Sequence, residues 1–325
     1  MQKTTRMCWV FMMMFVSLLW VGVPVAQDYP KSPVQIVIPF APGGATDILL
    51  RSISDFLAKN INGPIALVNK TGGGGVVGIS FVVNSKPDGY TLTVANSDSL
   101  NITPLFTPDI PFDMEKDLTY IAKVAIFPQS IVVRTESPFK TLEELVAFAK
   151  ANPKKLKAGC PGIGTSPYMA IEMFNRDAKV EISSVPFGGG GEVVPNLLGG
   201  HVDLAFVSIP PIKSQVLSGK ARILAILSPT RLPGFPQVPT VVEKGYKNSS
   251  IATGVGLGGP KGLAPAIVKK WEEAIEKTMK DPKVVATVEK FDFVVDFKGG
   301  EAFKKEILAE FATFKEIVPT PPGKK

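Results

Sequence analysis

The sequence predicts an α/β protein folded as two lobes. Short apolar runs rich in β-branched residues alternate with helix-length segments along the chain, as in VQIVIPF at 34–40 followed by a glycine turn and an amphipathic helix. With 325 residues, of which 45% are hydrophobic, the chain exceeds the size at which one core stops growing, about 250–300 residues. We therefore expect two lobes, each a largely parallel sheet flanked by helices.

Individual elements follow from local patterns. A capping box at Thr141 and Glu144 begins one helix, Pro265 begins another, and Phe303 belongs to the apolar face of the last helix. The predicted strands are 34–40, 65–69, 91–95, 130–134, 180–186, 202–207 and 222–227.

Residues 1–26 have the pattern of a secretory signal peptide. Lys3 and Arg6 precede an uncharged apolar run at 7–23, and we expect cleavage after Ala26. The run is longer than the usual ~7–15 residues and Pro24 stands where a small residue is expected, so an uncleaved membrane anchor is the alternative. The prediction is an exported, periplasmic protein.

Composition excludes several classes of function. With one His and two Cys, the chain cannot build a zinc site from several such ligands, and a catalytic triad would need His201, which we interpret as a helix C-cap. Cys160 lacks a disulfide partner once Cys8 leaves with the signal, and is expected to be buried. The net charge of +7 is scattered rather than gathered into a basic stripe, so no nucleic-acid partner is expected.

Four glycine turns follow or lie near predicted strand ends, at 42–47, 72–75, 162–166 and 188–191. Ligands of open α/β sheets bind outside the carboxyl ends of strands, where glycine permits close approach and helix N-termini present free N–H groups. Such turns can cradle an anion without arginine. The alternative for any one turn is that it only changes the direction of the chain.

One glycine run formally matches a dinucleotide-binding fingerprint. Residues 73–78 read GGGVVG, and Asp98 follows about 20 residues later. Consecutive glycines satisfy this pattern by composition alone, and an exported protein has little access to NAD. We therefore expect no cofactor.

Several ordered segments carry a family resemblance: YPKSPVQIVIPFAPGGATDILLR, NKTGGGGVVGISFVVNSKPDGYTL, LLGGHVDLAF and VPTVVEKGY. They resemble the substrate-binding proteins of tripartite tricarboxylate transporters, the Bug family. The resemblance implies a monomeric periplasmic binding protein of Venus-flytrap shape, type II-like, that closes on a small carboxylate and delivers it to a membrane permease. It also implies that 27–128 plus 250–325 form lobe 1 and that 129–249 form lobe 2.

The resemblance also implies ligand-binding positions. In the first loop, Ala45, Thr46 and Asp47 would hold one carboxylate, and Thr165 and Ser166 would hold the other end of the ligand. Asp203 would either orient the site or cap a turn. The full expected set is Ala45, Thr46, Asp47, Gly74, Ser97, Thr165, Ser166, Tyr168, Phe187, Gly188, Gly189 and Asp203.

The chain departs from the family pattern near the expected cleft. Tyr168 stands where many members have His, Phe187-Gly188 stands where Tyr-Lys-Gly is frequent, and GVGLGGPKGLAP at 254–265 replaces the usual APAGTP stretch. These changes remove polar or cationic groups. We hypothesise a ligand less charged than citrate: a monocarboxylate, a dicarboxylate or an aromatic acid stacked on Tyr168 or Phe187. Alternatively, both aromatics pack the lobes.

Two other functions remain open from the sequence. The same scaffold could serve as a periplasmic sensor for a membrane receptor. A periplasmic enzyme would need an acid–base pair, and Asp47, Asp98 and Asp203 have no evident partner.

Overall fold

The structure is a computed structural model that describes residues 29–107 and 109–317, and the predicted signal peptide lies outside these residues. The strands are β1 Val34–Ile38, β2 Ile65–Asn69, β3 Thr91–Asn96, β4 Leu118–Arg134, β5 Lys157–Cys160, β6 Ser183–Pro186, β7 Leu204–Ser208, β8 Ala221–Leu227, β9 Ala252–Pro260 and β10 Val294–Gly299. The α-helices are α1 Ala45–Ile61, α2 Val76–Val83, α3 Thr103–Phe106, α4 Leu142–Ala151, α5 Ser166–Ala178, α6 Gly190–Leu198, α7 Ile209–Leu217, α8 Pro265–Lys280, α9 Pro282–Lys290 and α10 Gly300–Ile317. Short 3₁₀ turns lie at Gly73–Gly75 and Lys247–Ser249, and a π-helical turn at Asp98–Ile102.

The long strand β4 joins two groups of strands. Its first part, 118–128, pairs antiparallel with β9 and β10, and its last part, 129–134, pairs antiparallel with β7 and β8. Neighbouring strands follow the order β2-β1-β3-β9-β4-β7-β5-β6. The partners change at Pro128, which has no backbone N–H to donate to the ladder. We call the part built on β1, β2, β3, β9 and β10 the first lobe and the part built on β5, β6, β7 and β8 the second.

Each lobe has its own apolar core. In the first lobe, α1 and α8 cover the sheet, and Trp271 of α8 is fully buried among residues such as Ile36 and Leu49. Its indole N–H donates a 2.6 Å hydrogen bond to the Tyr29 hydroxyl, which donates to the carbonyl of Gly89. In the second lobe, α4 and α5 cover one sheet face and α6 and α7 the other.

The sheet is more mixed than the sequence predicts. β1 runs parallel to β2 and β3, and β5 runs parallel to β6 and β7, as predicted. Every pair formed by β4 or β9 is antiparallel, so the prediction of largely parallel sheets is wrong at the centre of the molecule. The reason is that β4 carries the chain out of the first lobe and β9 carries it back.

A buried lysine ties the C-terminal helix to the sheet. Lys123 of β4 is 2% exposed, and its ammonium donates to Asp296 of β10, 2.6 Å away, and to Glu306 of α10. Lys298 also pairs with Glu306, at 2.5 Å, but is more exposed. Lys123 therefore supplies the buried positive charge for two carboxylates.

We expect Lys123→Met to destabilise the protein by about 3 kcal/mol, because removing one partner of a buried pair leaves uncompensated charge. Lys298→Met is the matched control and should cost less than about 1 kcal/mol, since its ammonium is partly solvated. Urea unfolding of the two variants measures this difference, and equal costs would contradict it.

Candidate functional site: the cleft between the lobes

The loop after β1 is held in shape by the carboxylate of Asp47. Its Oδ2 accepts a 2.9 Å hydrogen bond from the backbone N–H of Gly43, Arg51 donates to both carboxylate oxygens, and Asn69 donates to Oδ1. Burial raises the pKa of Asp47, but the hydrogen bonds from these three groups outweigh it and hold the pKa below its ordinary value. Asp47 thus fixes the loop that presents the N-terminus of α1.

Asp98 connects the two lobes. It lies at the end of β3 in the first lobe, and its Oδ1 accepts a 3.0 Å hydrogen bond from the backbone N–H of Ser166 and another from the Ser166 hydroxyl, at the start of α5 in the second lobe. The hydroxyl of Thr253 donates to the same oxygen over 3.2 Å, and Gln129 Nε2 donates to Thr253 over 2.9 Å. Burial raises the pKa of Asp98 to about 6, despite the opposing effect of these hydrogen bonds.

Asp98 lines a small inner cavity between the lobes, with a volume of about 30 Å³. A water needs about 10–15 Å³ on this measure, so the cavity accommodates about two waters. Its lining residues are Phe40, Gly44, Ala45, Thr46, Asp98, Phe127, Gln129, Pro161, Pro167, Gly190, Ser208 and Thr253. None of these is Lys, Arg or His.

Four helix N-termini surround the inner cavity. They belong to α1 at Ala45, α5 at Ser166, α6 at Gly190 and α7, whose N-cap is Ser208. The first turns of α1, α6 and α7 have no side-chain cap. A helix N-terminus leaves backbone N–H groups without intrahelical partners and carries a partial positive charge, so α1 and α6 favour an anion in the cavity. Helix α7 adds its dipole, but Pro210 and Pro211 in its first turn have no N–H to donate.

An outer cavity of about 360 Å³ shares Phe40 and Pro161 with the inner one. Apart from Thr107, its lining is glycine backbone and apolar side chains. The residues are Phe40, Gly72, Gly73, Gly74, Gly75, Phe106, Thr107, Pro161, Gly162, Ile163, Pro186, Phe187 and Gly188. The inner part of the cleft is therefore more polar than the outer part.

Backbone segments of the two lobes touch at the cleft. Ala41 N donates to the carbonyl of Gly188 over 3.3 Å. The Thr103 hydroxyl lies 3.0 Å from the carbonyl oxygen of Gly74 and 2.9 Å from that of Gly164 in the other lobe. A Cβ on Gly191 would lie 2.0 Å from the carbonyl oxygen of Pro42. This approach therefore requires glycine at position 191.

Of the predicted ligand-binding residues, two line the inner cavity, Ala45 and Thr46, and three line the outer one, Gly74, Phe187 and Gly188. Ser166 directs both its donors to Asp98.

The other predicted residues line neither cavity. Ser97 donates to Glu310 and accepts from Gly254 N. Thr165 caps α5, and Gly189 packs against Ala41.

The aromatic ring of Tyr168 packs edge-to-face on Phe106 at 5.1 Å, rather than facing either cavity. Asp203 lies outside the cleft, at the amino end of β7, where its Oδ2 accepts from Lys157 N over 2.8 Å. This contact fits the turn-capping alternative for Asp203. The backbone N–H of His201 donates to the Asn196 carbonyl, just after the C-terminus of α6.

Sequence reasoning missed the polar residues at the floor of the cleft. Gln129 and Thr253 interrupt apolar strands where β4 and β9 cross between the lobes. Ser208 is the last residue of β7 and lies directly before a helix. Ligands of open α/β sheets bind outside the carboxyl ends of strands, and this rule, applied to the predicted strand at 202–207, would have indicated Ser208. Asp98 has no evident partner in the sequence because Ser166, which donates to it, lies 68 residues further along the chain.

Cys160 is fully buried without a disulfide, and burial raises the pKa of its thiol to about 12, consistent with a packing role. Across residues 29–107 and 109–317, no three His, Cys, Asp or Glu side chains are grouped as metal ligands would be. The same residues include no helix with the length and apolar character needed to cross a membrane.

Two lobes joined by crossing strands, with helix N-termini directed at the cleft between them, define a periplasmic binding-protein fold. The chain belongs to the tripartite tricarboxylate transporter family receptors, whose family pattern matches residues 49–319.

Relatives and solved structures agree with this membership. A UPF0065 protein of Cupriavidus necator is 36% identical over 267 residues, which cover 82% of this chain and 80% of that protein. The periplasmic binding protein BugD is 27% identical with a TM-score of 0.85, over 89% of this chain and 97% of BugD. MatC from Rhodopseudomonas palustris, solved with bound malate, is 27% identical with a TM-score of 0.85, over 90% of this chain and all of MatC.

Asp98→Asn should change how stability depends on pH. The folded protein holds the Asp98 proton more tightly than the unfolded chain does, so wild type loses stability as the pH rises from about 4 through about 6, by about 2–3 kcal/mol. The variant cannot titrate at this position. The difference in unfolding free energy between the two proteins should therefore shift in favour of the variant between about pH 4.5 and about pH 7.5. A difference that is constant with pH would contradict this.

Gly191→Ala should hold the cleft open, because its methyl group would overlap the Pro42 carbonyl. Small-angle scattering should give a larger radius of gyration than wild type. Gly190→Ala is the matched control on the same helical turn, since its Cβ would lie 3.6 Å from the nearest atom of the other lobe. Equal radii for the two variants would count against closure at this contact.

Proposed function

We propose that this protein captures a small carboxylate in the inner cavity and delivers it to the membrane permease of a tripartite tricarboxylate transporter. The observation that carries the proposal is the convergence of uncapped helix N-termini on a cavity whose lining includes no cation. The backbone N–H groups of Ala45 and Thr46 bind the carboxylate. Family membership and the malate bound by MatC support this ligand class.

The lobes are assigned as 27–128 plus 250–325 for lobe 1 and 129–249 for lobe 2. Support comes from β4, whose partners change between Pro128 and Gln129, and from β9, which begins at Ala252. The hinge on this assignment is the strand pair β4–β9, and the cleft opens by rotation about it.

The protein acts in the periplasm as a monomer, exported by its N-terminal signal. The signal-like pattern of residues 1–26 and the periplasmic relatives support this location.

Binding without turnover is the function that the cleft favours. Catalysis by acid–base chemistry needs two groups in reach of the ligand. Asp98 is the one titratable side chain among the described residues that line the inner cavity, and hydroxyl and N–H donors hold it.

The experiment is a thermal-unfolding titration of protein purified after export, against mono-, di-, tri- and aromatic carboxylates. A ligand at about a thousand times its dissociation constant adds about 4 kcal/mol of stability, which raises the midpoint by several degrees. Stabilisation by a carboxylate is the expected result. Stabilisation by NAD alone would contradict the proposal.

Ala45→Pro tests the backbone contact directly. Proline fits the first position of a helix and the preceding Gly44 is extended, so the variant should fold while losing one N–H donor. We expect affinity for the carboxylate to fall about 10- to 100-fold, the value of one charge-assisted hydrogen bond. Ala45→Ser retains the N–H and is the control. Equal affinities for the two variants would show that this donor does not bind the ligand.

A further inference from the structure

The donors at the N-terminus of α5 in the second lobe already hold a carboxylate of the chain itself. Ser166 gives its backbone N–H and its hydroxyl to Asp98 Oδ1, at the helix N-terminus expected to bind the far end of a ligand. Asp98 is 7% exposed and lines the inner cavity. A ligand in the closed cleft therefore meets a side-chain carboxylate on this side of the cavity.

Two acceptors at the cavity are available to a ligand. All three hydrogen bonds that Asp98 accepts from the described residues go to Oδ1, which leaves Oδ2 for a donor on the ligand. Gln129 is fully buried and its Oε1 has no partner. The orientation of this amide is fixed: Thr253 gives its only proton to Asp98, so it must accept from Gln129 Nε2. A buried acceptor costs free energy unless a donor reaches it, so a ligand that displaces water from the cavity must supply a donor in its place.

The charges of the lining divide the cavity into two sides. The uncapped N-termini of α1, α6 and α7 favour a negative group, while the carboxylate of Asp98 favours a positive one. A second ligand carboxylate placed beside Asp98 would meet like charge, with no Lys or Arg in the lining to offset it.

The volumes and linings of the two cavities indicate what the rest of the ligand is like. The inner cavity, at about 30 Å³, has room for a polar head group but not for a whole metabolite. The outer cavity, at about 360 Å³, contains Phe40, Phe106, Ile163 and Phe187 and has no charged side chain in its lining. An apolar side chain fits this outer part.

We propose that the cleft selects a zwitterionic α-amino acid with an apolar side chain: Asp98 and Gln129 accept from its ammonium, the helix N-termini bind its carboxylate, and its side chain occupies the outer cavity. This inference rests on the proposed carboxylate-binding function and narrows it. Asp98 is the specificity-determining residue, because it occupies the donors that would otherwise bind a second ligand carboxylate.

The test is isothermal titration calorimetry of the full exported protein with matched pairs of ligands. The pairs are the protein amino acids and the same acids without the amino group, for example leucine with 4-methylpentanoate and phenylalanine with 3-phenylpropanoate, with succinate and malate added. We expect an apolar amino acid to bind at least about 100-fold more tightly than its partner lacking the amine, since a buried charge pair is lost.

Variants separate this role from a purely structural one. Asp98→Asn should weaken the amino acid about 100-fold and leave or improve binding of the amine-free partner, whereas general damage to the cleft would weaken both. Gln129→Met should weaken the amino acid about tenfold with the same selectivity. Asp177→Asn is the matched control: Asp177 also accepts from a backbone N–H, of Asn248, and from a hydroxyl, of Ser249, and lines neither cavity.

The outcomes are distinguishable. If amine-free carboxylates bind as tightly as amino acids, or if Asp98→Asn weakens both series equally, the assignment of Asp98 is wrong and the proposed carboxylate-binding function stands. If neither series binds to folded protein, the proposed function is overturned as well.

Discussion

The convergence of helix N-termini on one cavity is the constraint on which the rest of the site depends. It follows from the direction of the strands, because β1, β5, β6 and β7 each end at the cleft and each leads into a helix, β7 directly and the others through a short turn. The partial positive charges at the N-termini of those helices attract an anion, as arginine side chains do in many anion sites. Glycine in the turns is then required, since the two lobes meet through their backbones.

Asp98 changes what this arrangement can bind. A lining with only helix N-termini would be selective for charge and indifferent to the rest of the ligand. With the carboxylate of Asp98 in the lining, groups of opposite polarity border one cavity with room for about two waters. Such a cavity recognises a dipolar head group. The relative MatC was solved with malate, a ligand of different charge, within the same fold.

Features decided by neighbouring residues could be predicted from the sequence, and features that depend on contacts between distant residues could not. The capping box at Thr141 and the strand at 65–69 match the structure because a few adjacent residues decide them. Strand β9 was missed because its glycines depress strand propensity, yet Gly256 allows β9 to approach Ala122 closely. In the cleft, Ala45 and Thr46 begin a helix directly after a recognisable glycine turn, whereas the contact of Asp98 with Ser166 exists only when the lobes meet.

Pro128 bears on how the cleft moves. Pro128 has no backbone N–H, so β4 lacks one ladder hydrogen bond where its partners change. Rotation between the lobes can therefore occur at this peptide while the hydrogen bonds of β4 on either side remain formed. The two cores then move as preformed bodies. The lifetime of the closed state depends on a few contacts across the cleft, so substitutions there can alter release of the ligand without altering the thermal stability of either lobe.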